Sequence, residues 1–281
     1  MKLRQFCTAS AVAALCSILS FDASLAGPGG GPSGDSVGVV NTTLSRFFLR
    51  NTLSGGAPEI TAFNYTVGQA GEITLMGDWD GDGTDTPGVY VPSNQRFFLR
   101  NSNSAGAPDV PAFKFSVGQA GEIPVVGDWD GDGDDTIGVY VPSLGRFFLR
   151  NTNASGAPDA LFTYTVGQAN EVPVTGDWDG DGDDTVGLHV AALNKFFLRN
   201  SNSTGSPDAG NFVYSVGQPV QAPLIGDWDG DGDDTVGLYV AALKKFFLRN
   251  ANTSGAPDAG NFPYTVGAAS EAPVTGNFDG I

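Results

Sequence analysis

Gly127-Asp128-Trp129-Asp130-Gly131-Asp132-Gly133-Asp134-Asp135-Thr136-Ile137-Gly138-Val139-Tyr140 packs five carboxylates into eight residues and runs straight into an apolar segment. Its first seven residues recur from Gly77, Gly176 and Gly226, and a shortened copy, Gly276-Asn277-Phe278-Asp279-Gly280, closes the series. The copies start 50, 49, 50 and 50 residues apart. A fixed period of this size marks a repeat architecture, in which each unit buries its apolar faces against its neighbours.

A second marker keeps the same period. Phe-Phe-Leu-Arg-Asn begins at Phe47, Phe97, Phe147, Phe196 and Phe246. Each unit holds four short β-rich runs bounded by Pro, Gly, Ser and Asn; in the second they are Thr86–Val91, Arg96–Asn101, Ala112–Val117 and Ile123–Trp129. Such runs read as strands, and nowhere do ten residues show a helical period. Within one strand Phe97 and Leu99 share a face while Phe98 and Arg100 take the other. Two apolar-bearing faces suit a sheet held between other sheets. The expected fold is therefore all-β, a β-propeller with five blades of four antiparallel strands. Asp35-Ser36-Val37-Gly38-Val39-Val40 repeats the phase of Asp234-Thr235-Val236-Gly237-Leu238-Tyr239, while the last copy breaks off after Gly280. Pairing of the N- and C-terminal segments is thus expected to close the ring, with units at 35–86, 87–136, 137–185, 186–235 and 236–281.

Residues 1–26 carry Lys2 and Arg4, an apolar run from Ala11 to Leu19, and Ser24-Leu25-Ala26, the pattern of a signal peptide cleaved near Ala26. The expectation is export to the medium, the periplasm or the cell surface. Residues 27–34 read as a Gly/Pro-rich linker. Cys7 and Cys16, the only cysteines, lie in the leader, so residues 27–281 can form no disulfide. The formal net charge is −17, which argues against nucleic acid and anionic membrane surfaces as partners. The acidity is concentrated: the Asp-rich loops, with Asp35 and Asp279, hold 21 of the 30 acidic residues beyond the leader. Clustering of this kind points to cation binding.

Counted from Asp128, positions 1, 3 and 5 of the loop are Asp128, Asp130 and Asp132, position 6 is Gly133 and position 7 is Asp134. Carboxylates two residues apart around a glycine-rich turn can converge on one centre. Hard oxygen donors in that number suit Ca²⁺ better than Mg²⁺. Position 12 is Val139, so the glutamate of a helix–loop–helix calcium site is absent.

Gly127–Tyr140 resembles the FG-GAP and VCBS-type repeats of exported bacterial proteins and is similar to the calcium loops of integrin α-subunit propellers. The resemblance implies side-chain ligands at positions 1, 3, 5 and 9 and a backbone carbonyl at 7. Carried onto this chain, the side-chain ligands are Asp78, Asp80 and Asp82; Asp128, Asp130 and Asp132; Asp177, Asp179 and Asp181; and Asp227, Asp229 and Asp231. The carbonyls are those of Thr84, Asp134, Asp183 and Asp233. Position 9 departs from the pattern: it is Thr86, Thr136, Thr185 or Thr235, with an acid one place earlier. About four calcium sites are expected, of the modest affinity of extracellular modules. A fifth would need Asn277 and Asp279 to meet Asp35 across the ring closure.

Trp79, Trp129, Trp178, Trp228 and Phe278 at position 2 are expected to pack between blades rather than stack on sugars. Arg50, Arg100, Arg150, Arg199 and Arg249 are expected to satisfy carbonyls or a nearby Asp. The connectors Asn101–Pro108, Asn151–Pro158, Asn200–Pro207 and Asn250–Pro257 read as ordinary loops or as carbohydrate contacts. His189 is the single histidine, standing where other units have Tyr90, Tyr140 and Tyr239, and no catalytic set can be assembled around it. The sequence points to a secreted, calcium-binding interaction module for glycan or protein, not an enzyme. The alternatives are a structural or assembly protein of the cell surface, monomeric or self-assembling, and an enzyme with a central-channel site.

Overall fold

The computed structural model describes residues 34–268 and 270–280; the expected signal peptide and most of the linker lie outside them. Strands β1 (Ser36–Asn41), β2 (Arg46–Leu49) and β3 (Phe63–Asn64) begin the first sheet. The second is β4 (Ile73–Gly77), β5 (Thr86–Val91), β6 (Arg96–Leu99) and β7 (Phe113–Lys114). The third is β8 (Ile123–Gly127), β9 (Thr136–Val141), β10 (Arg146–Leu149) and β11 (Ala160–Thr163). β12 (Glu171–Gly176), β13 (Thr185–Val190), β14 (Lys195–Leu198) and β15 (Gly210–Val213) make the fourth. The fifth is β16 (Ala222–Gly226), β17 (Thr235–Val240), β18 (Lys245–Leu248) and β19 (Gly260–Pro263). β20 (Glu271–Gly276) then returns to β1 and completes the first sheet, from Ser36↔Gly276 to Asn41↔Glu271.

The fold is a five-bladed β-propeller of four-stranded antiparallel sheets, closed within one chain by the pairing of β20 with β1. The inner strands contact one another in the circle β20, β4, β8, β12, β16 and back to β20. Each sheet takes its inner strand from the sequence unit before it: Ile123–Gly127, which closes the second unit, is the inner strand of the third blade. The offset makes every blade, including the first, depend on chain from two units.

The Phe-Phe-Leu strand carries the packing. Phe97 and Leu99 are fully buried and Phe98 only partly so, as the period-two alternation requires. Phe97 stacks on Phe113 with ring centroids 5.5 Å apart and also meets Tyr90 at 4.6 Å. Its cluster continues into the third blade through Val126, Ile137, Val139 and Phe148. Each of the other clusters likewise joins residues of two adjacent blades, the fifth and first through Leu224, Trp228 and Phe246 against Val37 and Val39. No sheet has a wet face between blades, which explains why both faces of these strands carry apolar side chains.

Three of the four expected strands are shorter than their sequence suggests. Ile123–Trp129 ends at Gly127, where the Asp-rich loop begins. Ala112–Val117 pairs only at Phe113–Lys114, where the connector from Arg100 to Phe115 is one residue longer than that from Arg150 to Tyr164 and contains Pro111, which offers no N–H to a ladder. Arg96–Asn101 stops at Leu99; the Arg100 N–H still bonds the carbonyl of Pro87, and its guanidinium turns into the connector.

His189 is buried in the fourth blade, 4.5 Å from the Phe196 ring, and neither ring nitrogen has a hydrogen-bond partner. Burial lowers its pKa to about 4. Unfolded histidine titrates near 6.5, so the stability held by neutral His189 is complete above that pH and is lost as pH falls toward 4. The shift corresponds to on the order of 3 kcal/mol. His189→Phe should therefore flatten the fall in urea-unfolding stability between pH 6.5 and 4 relative to the wild-type chain; parallel curves would refute a buried neutral imidazole.

Candidate metal centre

The β4–β5, β8–β9, β12–β13 and β16–β17 turns carry the Asp-rich loops. In each, glycines at positions 4 and 6 adopt positive φ, Gly131 at 68° and Gly133 at 98° in the third blade. Side chains rarely reach that region at low cost, and glycine does. The turn this allows is wound tightly around the first aspartate. Asp128 Oδ1 accepts the N–H groups of Gly131 (2.8 Å) and Asp132 (3.2 Å), and its Oδ2 accepts that of Gly133 (2.8 Å). Asp132 Oδ1 accepts the N–H of Asp134 at 3.1 Å. Asp177 and Asp227 hold their loops by the same bonds, and Asp78 does so through Asp82 and Gly83.

The result is four carboxylate triads. Asp78, Asp80 and Asp82; Asp128, Asp130 and Asp132; Asp177, Asp179 and Asp181; and Asp227, Asp229 and Asp231 each bring one oxygen per residue to within 4.8 Å of the others. In every triad the first aspartate is buried and the other two are exposed. Burial raises the pKa of Asp78 to about 6, helped by the charges of Asp82 and Asp80. Burial first, and neighbouring carboxylates after it, also raise Asp134, Asp179, Asp183, Asp229 and Asp233. A group of oxygen donors that resists joint ionisation fits a divalent cation, which removes the repulsion.

The position-9 threonines stand apart from the triads. Thr86, Thr136, Thr185 and Thr235 are buried, each starting the second strand of its blade. Each donates its hydroxyl to the carbonyl of the glycine before the loop, at 3.3, 3.2, 3.4 and 3.4 Å. These hydroxyls fasten the base of the loop. Asp35, expected beside Asn277 and Asp279, is turned away from them: its Oδ2 accepts the N–H of Asp227 at 3.1 Å. Asn277 Oδ1 accepts the N–H of Gly280. Among the described residues, no carboxylate triad forms at this fifth position.

The connectors after the Phe-Phe-Leu strands supply a layer that sequence reading missed. Asn101, Asn151, Asn200 and Asn250 donate Nδ2–H to Oδ2 of Asp80, Asp130, Asp179 and Asp229, at 2.6, 2.7, 2.6 and 2.6 Å. They fix the exposed position-3 carboxylate and leave its other oxygen to the triad. Two residues on, Asn103, Asn153, Asn202 and Asn252 bond the carbonyls of Asp85, Asp135, Asp184 and Asp234. The Asn-x-Asn spacing shared by these connectors was the available signal. The arginines organise the same connectors: Arg150 donates to the carbonyls of Ala154 and Ala157 and lies 3.8 Å from Asp159. Trp79, Trp129, Trp178, Trp228 and Phe278 are buried in clusters that join adjacent blades.

No protein family, curated protein or solved structure matches the chain. The candidate metal centre therefore rests on its own geometry.

Outer partners of this kind tune a ligand's affinity by about 10–100-fold. If the triads hold calcium, Asn151→Ala should weaken binding at one of the four by about 10-fold in a calcium titration. In chelator the same variant should melt within about 4 °C of the wild type, as loss of one hydrogen bond implies. Unchanged affinity would show that Asn151 does not position Asp130.

Proposed function

We propose that the chain is a calcium-stabilised β-propeller that works outside the cell as a binding module for an extracellular glycan or protein. The observation that carries this reading is the recurrence of one carboxylate triad, with the same buried-exposed-exposed pattern, in four consecutive blades. A single acidic turn has many uses; four with matched internal hydrogen bonds favour one ion chemistry. Two exposed carboxylates per loop suit a hydrated, oxygen-seeking ion drawn from the surrounding medium.

Calcium here serves the fold. The residues after the leader contain no cysteine, and disulfides are the usual reinforcement of exported domains. An ion that binds only the native state stabilises it by mass action. The loops and the Asn-rich connectors share one face, as the Asn–Asp bonds between them require. That face presents small exposed side chains around the ring, among them Thr152, Ser155 and Ala157. A repeated surface whose shape depends on bound calcium suits recognition of a repeated or extended ligand. The resemblance of Gly127–Tyr140 to FG-GAP and VCBS-type repeats and the leader pattern of residues 1–26 support an extracellular setting.

With dissociation constants of about 10⁻⁴–10⁻³ M, calcium at about 10 mM should add about 1.4–2.7 kcal/mol per occupied site. The purified chain should therefore melt well above its temperature in excess chelator, and magnesium should not substitute. A melting temperature indifferent to calcium would overturn the metal reading. Binding on a glycan array or to extracellular proteins that is lost on chelation supports the module reading; retention of all binding after chelation would separate recognition from the loops.

A further inference from the structure

Five aspartates lie between the loops and the second strands and belong to no triad: Asp35, Asp85, Asp135, Asp184 and Asp234. Each is at most 3 % exposed. Each reaches the loop base of the preceding blade, where its Oδ2 accepts an N–H: Asp135 from Asp78, Asp184 from Asp128, Asp234 from Asp177, Asp35 from Asp227 and Asp85 from Asn277. They therefore sit at the ends of the inner strands. A Cβ on Gly77, Gly176, Gly226 or Gly276 would stand only 3.0, 2.8, 2.7 or 2.6 Å from the Oδ2 of Asp135, Asp234, Asp35 or Asp85. Because the inner strands encircle the propeller axis, the five carboxylates encircle it too.

The second oxygen is what makes this ring unusual. Oδ1 of Asp85, Asp135, Asp184 and Asp234 is buried and has no hydrogen-bond partner. The charges these groups feel are one another's and those of loop aspartates: Asp85 those of Asp135, Asp35 and Asp78, and Asp184 those of Asp135, Asp234 and Asp128. Among the described residues no lysine or arginine forms an ion pair with them. Leaving a buried acceptor unpaired costs about 1–3 kcal/mol, more if it is charged, and here the arrangement is repeated four times around one axis.

We propose that this ring is a metal site distinct from the loops, taking one divalent cation on the propeller axis. Hard, anionic oxygens suit Ca²⁺, Mg²⁺ and Mn²⁺ among the common ions. Among the described residues no three ring carboxylates lie within 4.8 Å of one another as the loop triads do. Ca²⁺, with six to eight ligands in flexible geometry, tolerates carboxylates not gathered around one point better than the near-ideal octahedron of Mg²⁺ does. One ion there would join neighbouring blades to one another, whereas a loop ion ties only its own hairpin. The site stands whether or not the loops hold calcium.

The test counts calcium. Asp135→Asn combined with Asp234→Asn keeps an oxygen for the N–H groups of Asp78 and Asp177 while removing two charges. Equilibrium dialysis of the full chain with radioactive calcium should then show one equivalent fewer than the wild type. Asp130→Asn, in a loop, should lower a different equivalent and leave the axial one in place. Equal stoichiometry in the wild type and the ring variant would overturn the proposal and favour a ring neutralised by protons. Should the ring variant fail to fold, crystals of the wild type soaked in terbium decide: an anomalous peak on the axis supports the site, and peaks in the loops alone refute it.

Discussion

Adjacent blades are tied by the same two-way contact, repeated five times. The N–H of Asp135 donates to the carbonyl of Asp78 at 2.7 Å, and the Asp135 carboxylate accepts the N–H of that same Asp78 at 2.9 Å. Asp184, Asp234, Asp35 and Asp85 repeat the arrangement on Asp128, Asp177, Asp227 and Asn277. It is short-range, directional and buried, whereas the apolar attraction in the clusters between blades is non-directional. The clusters hold the blades together; the aspartates set their angle. Glycine before each loop is the condition for it, since any side chain there would occupy the carboxylate's place.

This contact concentrates charge. Burial and mutual repulsion push the ring carboxylates upward, Asp35 to about 8 and Asp85, Asp135, Asp184 and Asp234 well above the usual range. The loops just outside add further acidic groups. A fold stabilised at its centre by anions is at odds with its own electrostatics unless cations or protons join it. That tension connects the architecture to the proposed metal chemistry: the geometry that fixes the blades also gathers oxygens whose repulsion a divalent ion would remove.

The candidate site was legible in its first layer and hidden in its second. Positions 1, 3 and 5 of each loop could be read directly, because a two-residue spacing around glycines at positive φ leaves few other arrangements. The glycines confirm the reason, with Gly131 and Gly133 both in the left-handed region. Thr86 and its counterparts could not be placed from spacing, since a hydroxyl bonds a ligand or a backbone carbonyl equally well; the strand register gave it the carbonyl of Gly77. Asn101 and Asn151 looked like loop residues because their partners lie 21 positions away. By phase Asp35 belongs with Asn277 and Asp279, yet the closure that brings β1 beside β20 points it at Asp227 instead.

By itself the sequence determined the number of blades, the four-strand unit, the apolar faces of the Phe-Phe-Leu strands and the acidic triads. All of these rest on periodicity, or on contacts within a few residues, which a linear pattern records. Only the tertiary structure decided that each sheet draws its inner strand from the preceding unit, and that one aspartate per unit leaves its own loop to clamp the preceding blade and surround the axis. Those features join residues 56, 57 or 192 positions apart. Their partners are chosen by the angle at which five sheets close, and that angle appears only once the chain has folded.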